Sequence, residues 1–500
     1  MNTKKFQPLV LFLLGFTLFL FTRFSLIIPS IIPGGLAMII APVFILRFVR
    51  IQKFRKAIWF TLLGFLLSAN ISLWGIFDTG VAIQTAIFSL IRSSLIAVIY
   101  FIPYLIDRSI YPRLNGTVST LSFPVSVTAI LFLVSLEGPF DGSGISGVFA
   151  YGPLFFKQIA SIAGLSGFVF VYSWFASALN YCWESRFAWG KIKKVTIIYT
   201  SVLLVISIYG VIKISPMMAP GSDTVKVAAI LVLQDKDFVV EEEAFFTNKT
   251  HPFDETMAKI EKSVKKAASN GAKIVSTQET AIKIRDTEEP ELFEKAKEIA
   301  TGNNVYFSLA YGVLPEQEKG WNKHILISNQ GEVQINYNKR FLLGLGDLFG
   351  ESIIFKKGEE VIQVADTPYG RIGASICKDM EFAKYARQAG RKGVDIMLSP
   401  SYDYPTSRSA GNPLRPIETG FSFLRPSYNG LSHAQDYNGN IIARMHSDRT
   451  EDGIMYAEVP TKGVRTIYSY VGDLLAWFCS MAMFVLIIFG IVKKLEAGHN

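Results

Sequence analysis

Cysteine and histidine are scarce in this chain. Three cysteines in 500 residues leave no disulfide framework to read, and Cys182, Cys377 and Cys479 fall in stretches too different in character to pair. The five histidines, at 251, 324, 433, 446 and 499, lack any ligand spacing, so no metal is expected. Charge is also thin: 18% of residues are Asp, Glu, Lys or Arg while half are hydrophobic, and the mean hydropathy of +0.32 is too apolar for an average soluble enzyme. No internal repeat or low-complexity tract occurs. "GSGISG" at 142–147 fits a dinucleotide-binding spacing in form only. It lies between two apolar runs rather than between a strand and a helix.

The apolar residues are concentrated in long runs. Candidate spans lie at about 8–28, 30–48, 57–77, 81–104, 118–136, 158–181 and 195–214, and "LLAWFCSMAMFVLIIFGIV" near the end makes an eighth. The first run is longer than a signal-peptide core and has no evident cleavage site, so it reads as a retained helix. Placing the N-terminus in the cytoplasm puts fifteen Lys and Arg in the inside segments against Asp107, Glu184 and Glu496. The opposite loops are nearly free of basic residues. The net charge of +9 is therefore a topology signal and not a nucleic-acid one. The expected organisation is a membrane domain over 1–214 with seven helices, a soluble domain over 223–466 on the extracytoplasmic side, and a returning helix over 471–492. Arg92 inside the fourth run is an intramembrane charge, a costly feature that calls for a partner.

The soluble stretch alternates strand and helix patterns. "KVAAILVL", "KIVSTQE", "NVYFSLAYGVL", "HILIS", "VQINYNK", "VIQVAD" and "GRIGASIC" read as strands, and helices are expected near 252–269, 291–301 and 380–391. Hairpins mixed with βα steps imply helices layered on two packed sheets. Three ionisable residues close apolar runs: Glu279, Lys339 and Cys377. Singly they read as a capping carboxylate, a solvated lysine and a core thiol. Together they suit thiol chemistry, with a nucleophile, a base within reach, and positive charge for an oxyanion, to which the Lys378 amide adds a donor.

In order and context these residues resemble the Glu-Lys-Cys amidases and acyltransferases of the nitrilase superfamily. With the membrane runs, the chain resembles the apolipoprotein N-acyltransferase family. The carriers are "QETAIK" at 278–283, "YNKRFLLGLGD" at 337–347, "GASICKDMEF" at 373–382, "RPIETGFSFLRPSYNGLS" at 415–432 and "TIYSYVGDLLAW" at 466–477.

The resemblance implies a polytopic helical membrane domain of about eight spans with a nitrilase-like α-β-β-α sandwich, in a bacterial inner membrane. It implies acyl transfer from a phospholipid through a thioester on Cys377 to the α-amine of a lipoprotein's diacylglyceryl-cysteine. Glu279 is then the base and Lys339 the oxyanion stabiliser, with Lys378, Asp347, Asp379 and Glu418 as oxyanion or supporting residues. No cofactor or nucleic acid is implied, and a monomer is expected. The apolar loop "FLLGLGDLFG" suits contact with lipid through Phe341, Leu342, Leu343, Leu345, Leu348 and Phe349, or packing on the core. The chain departs from the family where Thr277-Gln278 replace Trp-Pro, where "LGLGD" replaces Pro-Phe-Gly-Glu, and where Lys378 replaces an aromatic residue. A membrane-tethered amidase, an acyltransferase for a different amine, and an inactive binding module are the competing readings.

Overall fold

A computed structural model describes residues 3–24, 34–73, 82–136, 147–218, 221, 223–232, 249–344, 350–403, 414–447 and 453–498. The chain divides into two compact units, Met1–Ser215 with Val471–Asn500, and Pro216–Tyr470.

The first unit is helical, and its long helices are α1 (Thr3–Phe24), α2 (Gly34–Ile51), α3 (Phe54–Leu73), α4 (Ala82–Ile110), α5 (Ser122–Leu136), α6 (Ala160–Glu184), α7 (Trp189–Lys213) and, from the C-terminus, α12 (Leu474–Gly498). Six helical segments among the described residues are long and apolar enough to cross a membrane: 54–73, 85–113, 116–136, 160–184, 189–213 and 474–493. The first apolar segment, Gln7–Thr22, is shorter, and α2 is not among the six. Exposed Leu204, Val205, Phe484 and Val485 on α7 and α12 suit a lipid solvent better than water.

Two charges that the sequence assigns to inside segments are buried here. Arg50 Nε and Nη2 donate to Asp107 at 3.0 and 3.1 Å, Nη2 also donates to Ser177 Oγ at 3.0 Å, and Ser122 Oγ donates to Asp107 Oδ1. Arg50 and Asp107 thus tie α2, α4, α5 and α6 together, so Arg50 is no free topogenic charge. Arg92 is half-buried in α4.

Among the described residues, the second unit holds two large sheets. In the first, β1 (Thr224–Ile230) pairs antiparallel with β15 (Ile454–Pro460) and parallel with β2 (Ile274–Thr277). The order continues through β4 (Tyr306–Val313), β5 (Trp321–Ile327) and β6 (Val333–Asn338), with β3 (Ile282–Ile284) on β4. In the second, the order is β14-β13-β11-β9-β8-β7, formed by Ile441–His446, Leu431–Gln435, Ser422–Arg425, Ile396–Leu398, Gly370–Ala374 and Val364–Thr367. A short parallel pair, β10 (Ser401–Tyr402) and β12 (Ser427–Tyr428), stands apart.

Strand alternation explains the layers. Val227 and Ala229 enter one core with Ile372, Ala374, Ile396, Leu398 and Phe423 of the second sheet. Ala228 and Ile230 point the other way, into a core with Met257, Ile260 and Val264 of α8 (Phe253–Ser269) and Leu292 and Ala296 of α9 (Glu289–Asn303). Tyr385, Ala386 and Ala389 of α10 (Ala383–Lys392) join the inter-sheet core. Helices therefore pack on two face-to-face sheets, and the loops leaving β2, β6 and β8 carry the residues of interest.

Candidate active site

Glu279 stands two residues past β2, and Thr280 after it holds φ +46°. Where a Trp-Pro pair is expected, Thr277 Oγ1 accepts from Ala310 N at 3.0 Å and Gln278 Oε1 accepts from Val232 N at 2.9 Å. The two polar side chains close the backbone around the glutamate, so the departure from the family's pattern is structurally satisfied. Lys339 follows β6, its N–H held by Asn322 O at 2.8 Å.

Cys377 leaves β8 through Ser375 and Ile376 into a 3-10 turn, Cys377–Glu381, with φ +45°. A side chain other than glycine in the left-handed region is strained and persists only where its surroundings over-determine it. Here they do. Cys377 N donates to Pro400 O at 2.8 Å. Asp379 Oδ2 accepts from Ile376 N at 2.9 Å and from the Tyr337 hydroxyl at 2.7 Å, and Asp379 Oδ1 accepts from Phe341 N at 2.8 Å.

Lys339 Nζ donates to Glu279 Oε1 and to Glu351 Oε1, each at 2.6 Å, and all three side chains are buried. Glu279 Oε1 also accepts from Asn322 Nδ2 at 2.8 Å, whereas Oε2 accepts from Tyr402 N at 2.8 Å. Glu351 Oε2 accepts from Leu343 N at 2.8 Å. Two carboxylates around one ammonium hold Lys339 firmly protonated despite its burial, while burial pushes the Glu351 carboxyl above its ordinary range. The Cys377 thiol is raised, first by desolvation and then by the Glu279 carboxylate, against the opposing charges of Lys339 and Arg425. A neutral thiol beside a carboxylate that can take its proton is the resting arrangement these charges favour.

The sequence-expected residues separate into three sets. Glu279 and Lys339 are in direct contact, and the segment through Tyr402 joins them to Cys377, whose Sγ lies 3.8 Å from Tyr402 O. Lys378 and Asp379 flank the thiol, the Lys378 ammonium reaching Leu342 O at 3.5 Å. Glu418 belongs to a different element. It is buried in α11 (Arg415–Thr419) against Arg415 Nη1, while Arg415 Nε and Nη2 donate to Met380 O at 2.6 Å and Glu381 O at 2.7 Å. It props the turn that carries the cysteine.

Of the apolar loop, Phe341 stacks on Phe382 at 3.6 Å between centroids, and Leu342 is buried with Leu314, Ile354 and Phe355. Both turn inward, Phe341 half-buried against the inter-sheet core and Leu342 buried, while Leu343 is half-buried. Leu345, Asp347, Leu348 and Phe349 lie outside the described residues.

Sequence reading missed four participants: Glu351, Asn322, and the Asp403–Arg425 pair. A signal existed for Glu351. It ends "LFGE" at 348–351, the Phe-Gly-Glu that the resemblance leads one to look for, displaced four residues from Asp347. Asn322 and the Asp403–Arg425 pair had none, because strand pairing alone brings them in.

Residues 246–468 match the carbon-nitrogen hydrolase family model. The second unit thus contains a carbon–nitrogen hydrolase domain. The relatives differ in reach. An apolipoprotein N-acyltransferase of Shewanella oneidensis is 23% identical over 359 residues, 64% of this chain and 64% of that protein. A nitrilase and fragile histidine triad fusion protein, NitFhit, of Caenorhabditis elegans is 34% identical over 121 residues, 22% of this chain and 27% of that one. In both cases less than two thirds of the relative is spanned. A citrullinase of Francisella tularensis is 29% identical over 241 residues, 41% of this chain and 82% of the relative. The carbon–nitrogen hydrolase match begins beyond the apolar helices, whereas the 64% of the chain aligned with the acyltransferase is more than the second unit alone contains.

Proposed function

We propose that this protein is a membrane-embedded N-acyltransferase, using Cys377 as nucleophile, Glu279 as general base and Lys339 with Glu351 as the charged frame of the site. The observation that carries the reading is the buried Glu279–Lys339–Glu351 cluster at the loop ends that also present Cys377, in a chain whose other unit is a bundle of apolar helices.

The Cys377 thiol gives its proton to Glu279 as sulfur attacks an ester carbonyl of a phospholipid. Glu279 Oε2 accepts from Tyr402 N and keeps a second lone pair for the thiol proton. The oxyanion is met by a Lys339 N–H not engaged by the two carboxylates and by the Lys378 amide. Collapse breaks the acyl C–O bond. The lysophospholipid leaves with the proton from Glu279, and a thioester remains. The α-amine of a diacylglyceryl-cysteine then attacks, forming the amide, and the thiol is regenerated. Eight spans, with both termini inside and the second unit outside, complete the reading of a bacterial inner-membrane enzyme.

The similarity to a citrullinase, which spans most of that protein, supports a second reading with the same first half, in which water resolves the thioester. Intact-mass analysis of the purified protein after incubation with phospholipid separates the two. A hydroxylamine-labile gain of one acyl chain, absent from Cys377→Ala and discharged onto an added diacylglyceryl lipopeptide, is the expected result. An unmodified Cys377 in folded protein overturns the lipid donor and favours the hydrolytic reading.

A further inference from the structure

The segment from Pro400 to Asp403 touches both reactive groups. Pro400 O accepts Cys377 N, Tyr402 N donates to Glu279 Oε2 at 2.8 Å, and Tyr402 O lies 3.8 Å from Cys377 Sγ. The backbone carries the parallel β9–β11 pairing onward, Ser399 N donating to Leu424 O at 3.0 Å and Ser401 N to Pro426 O at 2.8 Å, into the short β10–β12 pair that ends at Tyr402. Asp403 adds a side-chain anchor just past that end. Its carboxylate accepts both arms of the Arg425 fork, at 2.6 and 2.9 Å, and the Ser427 hydroxyl at 2.6 Å, while its N–H donates to Tyr428 O at 2.8 Å. Arg425 is 5% exposed and Asp403 14%. Gly430 closes the pair from the side, because a Cβ there would meet Asp403 Cβ at 2.6 Å.

A buried ion pair contributes little net stability over an apolar replacement, but its fork geometry fixes direction. We propose that the Asp403–Arg425 pair is a positioning clamp that holds the end of Pro400–Asp403 in place and so seats the Glu279 carboxylate beside the Cys377 thiol for proton transfer. The inference rests on the reading of Cys377 as nucleophile and Glu279 as base.

A clamp and a simple charge effect predict opposite results. Arg425 favours the thiolate and Asp403 disfavours it. Acting through charge alone, Asp403→Asn speeds reaction of the thiol and Arg425→Lys leaves it unchanged. Acting as a clamp, both slow it, because lysine keeps the charge but loses the fork.

The test is the rate at which iodoacetamide labels Cys377 in the full-length protein in detergent, read on the Cys377 peptide by mass spectrometry across the neutral pH range. Glu279→Gln serves as the reference for a lost base. The clamp predicts that Arg425→Lys and Asp403→Asn slow labelling about 10-fold or more, toward the Glu279→Gln rate, and flatten its pH dependence. Ser427→Ala, which removes one of the bonds to Asp403, slows it less. Wild-type labelling in both Arg425→Lys and Ser427→Ala overturns the proposal, and these two decide it if Asp403→Asn does not fold. Phospholipid acylation is followed in parallel. If the wild type gives no thioester while labelling still depends on Glu279, the lipid-donor reading fails and the clamp stands. If Glu279→Gln labels like the wild type, the nucleophile–base reading falls and the clamp with it.

Discussion

Asp379 accepts three hydrogen bonds while fully enclosed, and burial outweighs those donors to raise its carboxyl to about 6. A carboxyl whose folded value lies above its unfolded one binds more protons in the native state. Its contribution to stability is therefore complete below about pH 4 and is lost as pH rises through about 6. Asp379→Asn removes this titration, so the melting-temperature advantage of the wild type over the variant shrinks as pH is raised across that window. A difference that stays constant with pH contradicts the assignment. Burial likewise holds the Cys377 thiol neutral, so the proposed mechanism draws its reactivity from the adjacent base and not from a standing thiolate.

Among elements, the connection from Phe341 to Glu351 decides whether Lys339 has its second carboxylate. Glu351 N donates to Leu343 O at 2.7 Å, and Gly350 holds φ +93° with the place of its Cβ 2.3 Å from Leu343 O. No other side chain fits that approach. Gly350→Ala is expected to destabilise the unit by about 1–3 kcal/mol and, by displacing Glu351, to slow thioester formation on Cys377. Denaturation and single-turnover acylation measure the two effects. Acylation at the wild-type rate would show that Glu351 is dispensable. The 377–381 turn depends likewise on Glu418 through Arg415, with three elements between them in sequence. This explains why a residue recognised by motif sits outside the reactive cluster.

For the whole molecule, the two units pose different solvation problems. The helical unit exposes leucine, valine, isoleucine and phenylalanine along α7 and α12 and buries its Arg50–Asp107 pair. The second unit buries alternate strand residues in two cores. With the basic segments in the cytoplasm, residues 216–470 are expected outside. Protease added to intact spheroplasts should then cut within this region while the termini stay protected. Cleavage only after the membrane is breached would invert the topology.

Some of this is local chemistry and is legible along the chain. Long apolar runs require a non-aqueous solvent wherever they fold, period-two patterns demand strands with one or two buried faces, and Glu279, Lys339 and Cys377 end such runs. The layering of helices on two sheets follows from the same patterns. Other features are contacts between segments far apart in sequence. Glu351 reaches Lys339 because a glycine lets one loop close. Asn322 arrives through the β5–β6 pairing. Asp403 and Arg425 meet across 22 residues, and Phe341 and Leu342, apolar enough for lipid, turn inward onto Phe382 and Phe355. Composition and periodicity determined which residues must leave water and where ionisable side chains end buried runs. Only the tertiary structure decided their partners, because hydrogen bonds and charge pairing act over a few ångströms in space and leave no periodic trace along the chain.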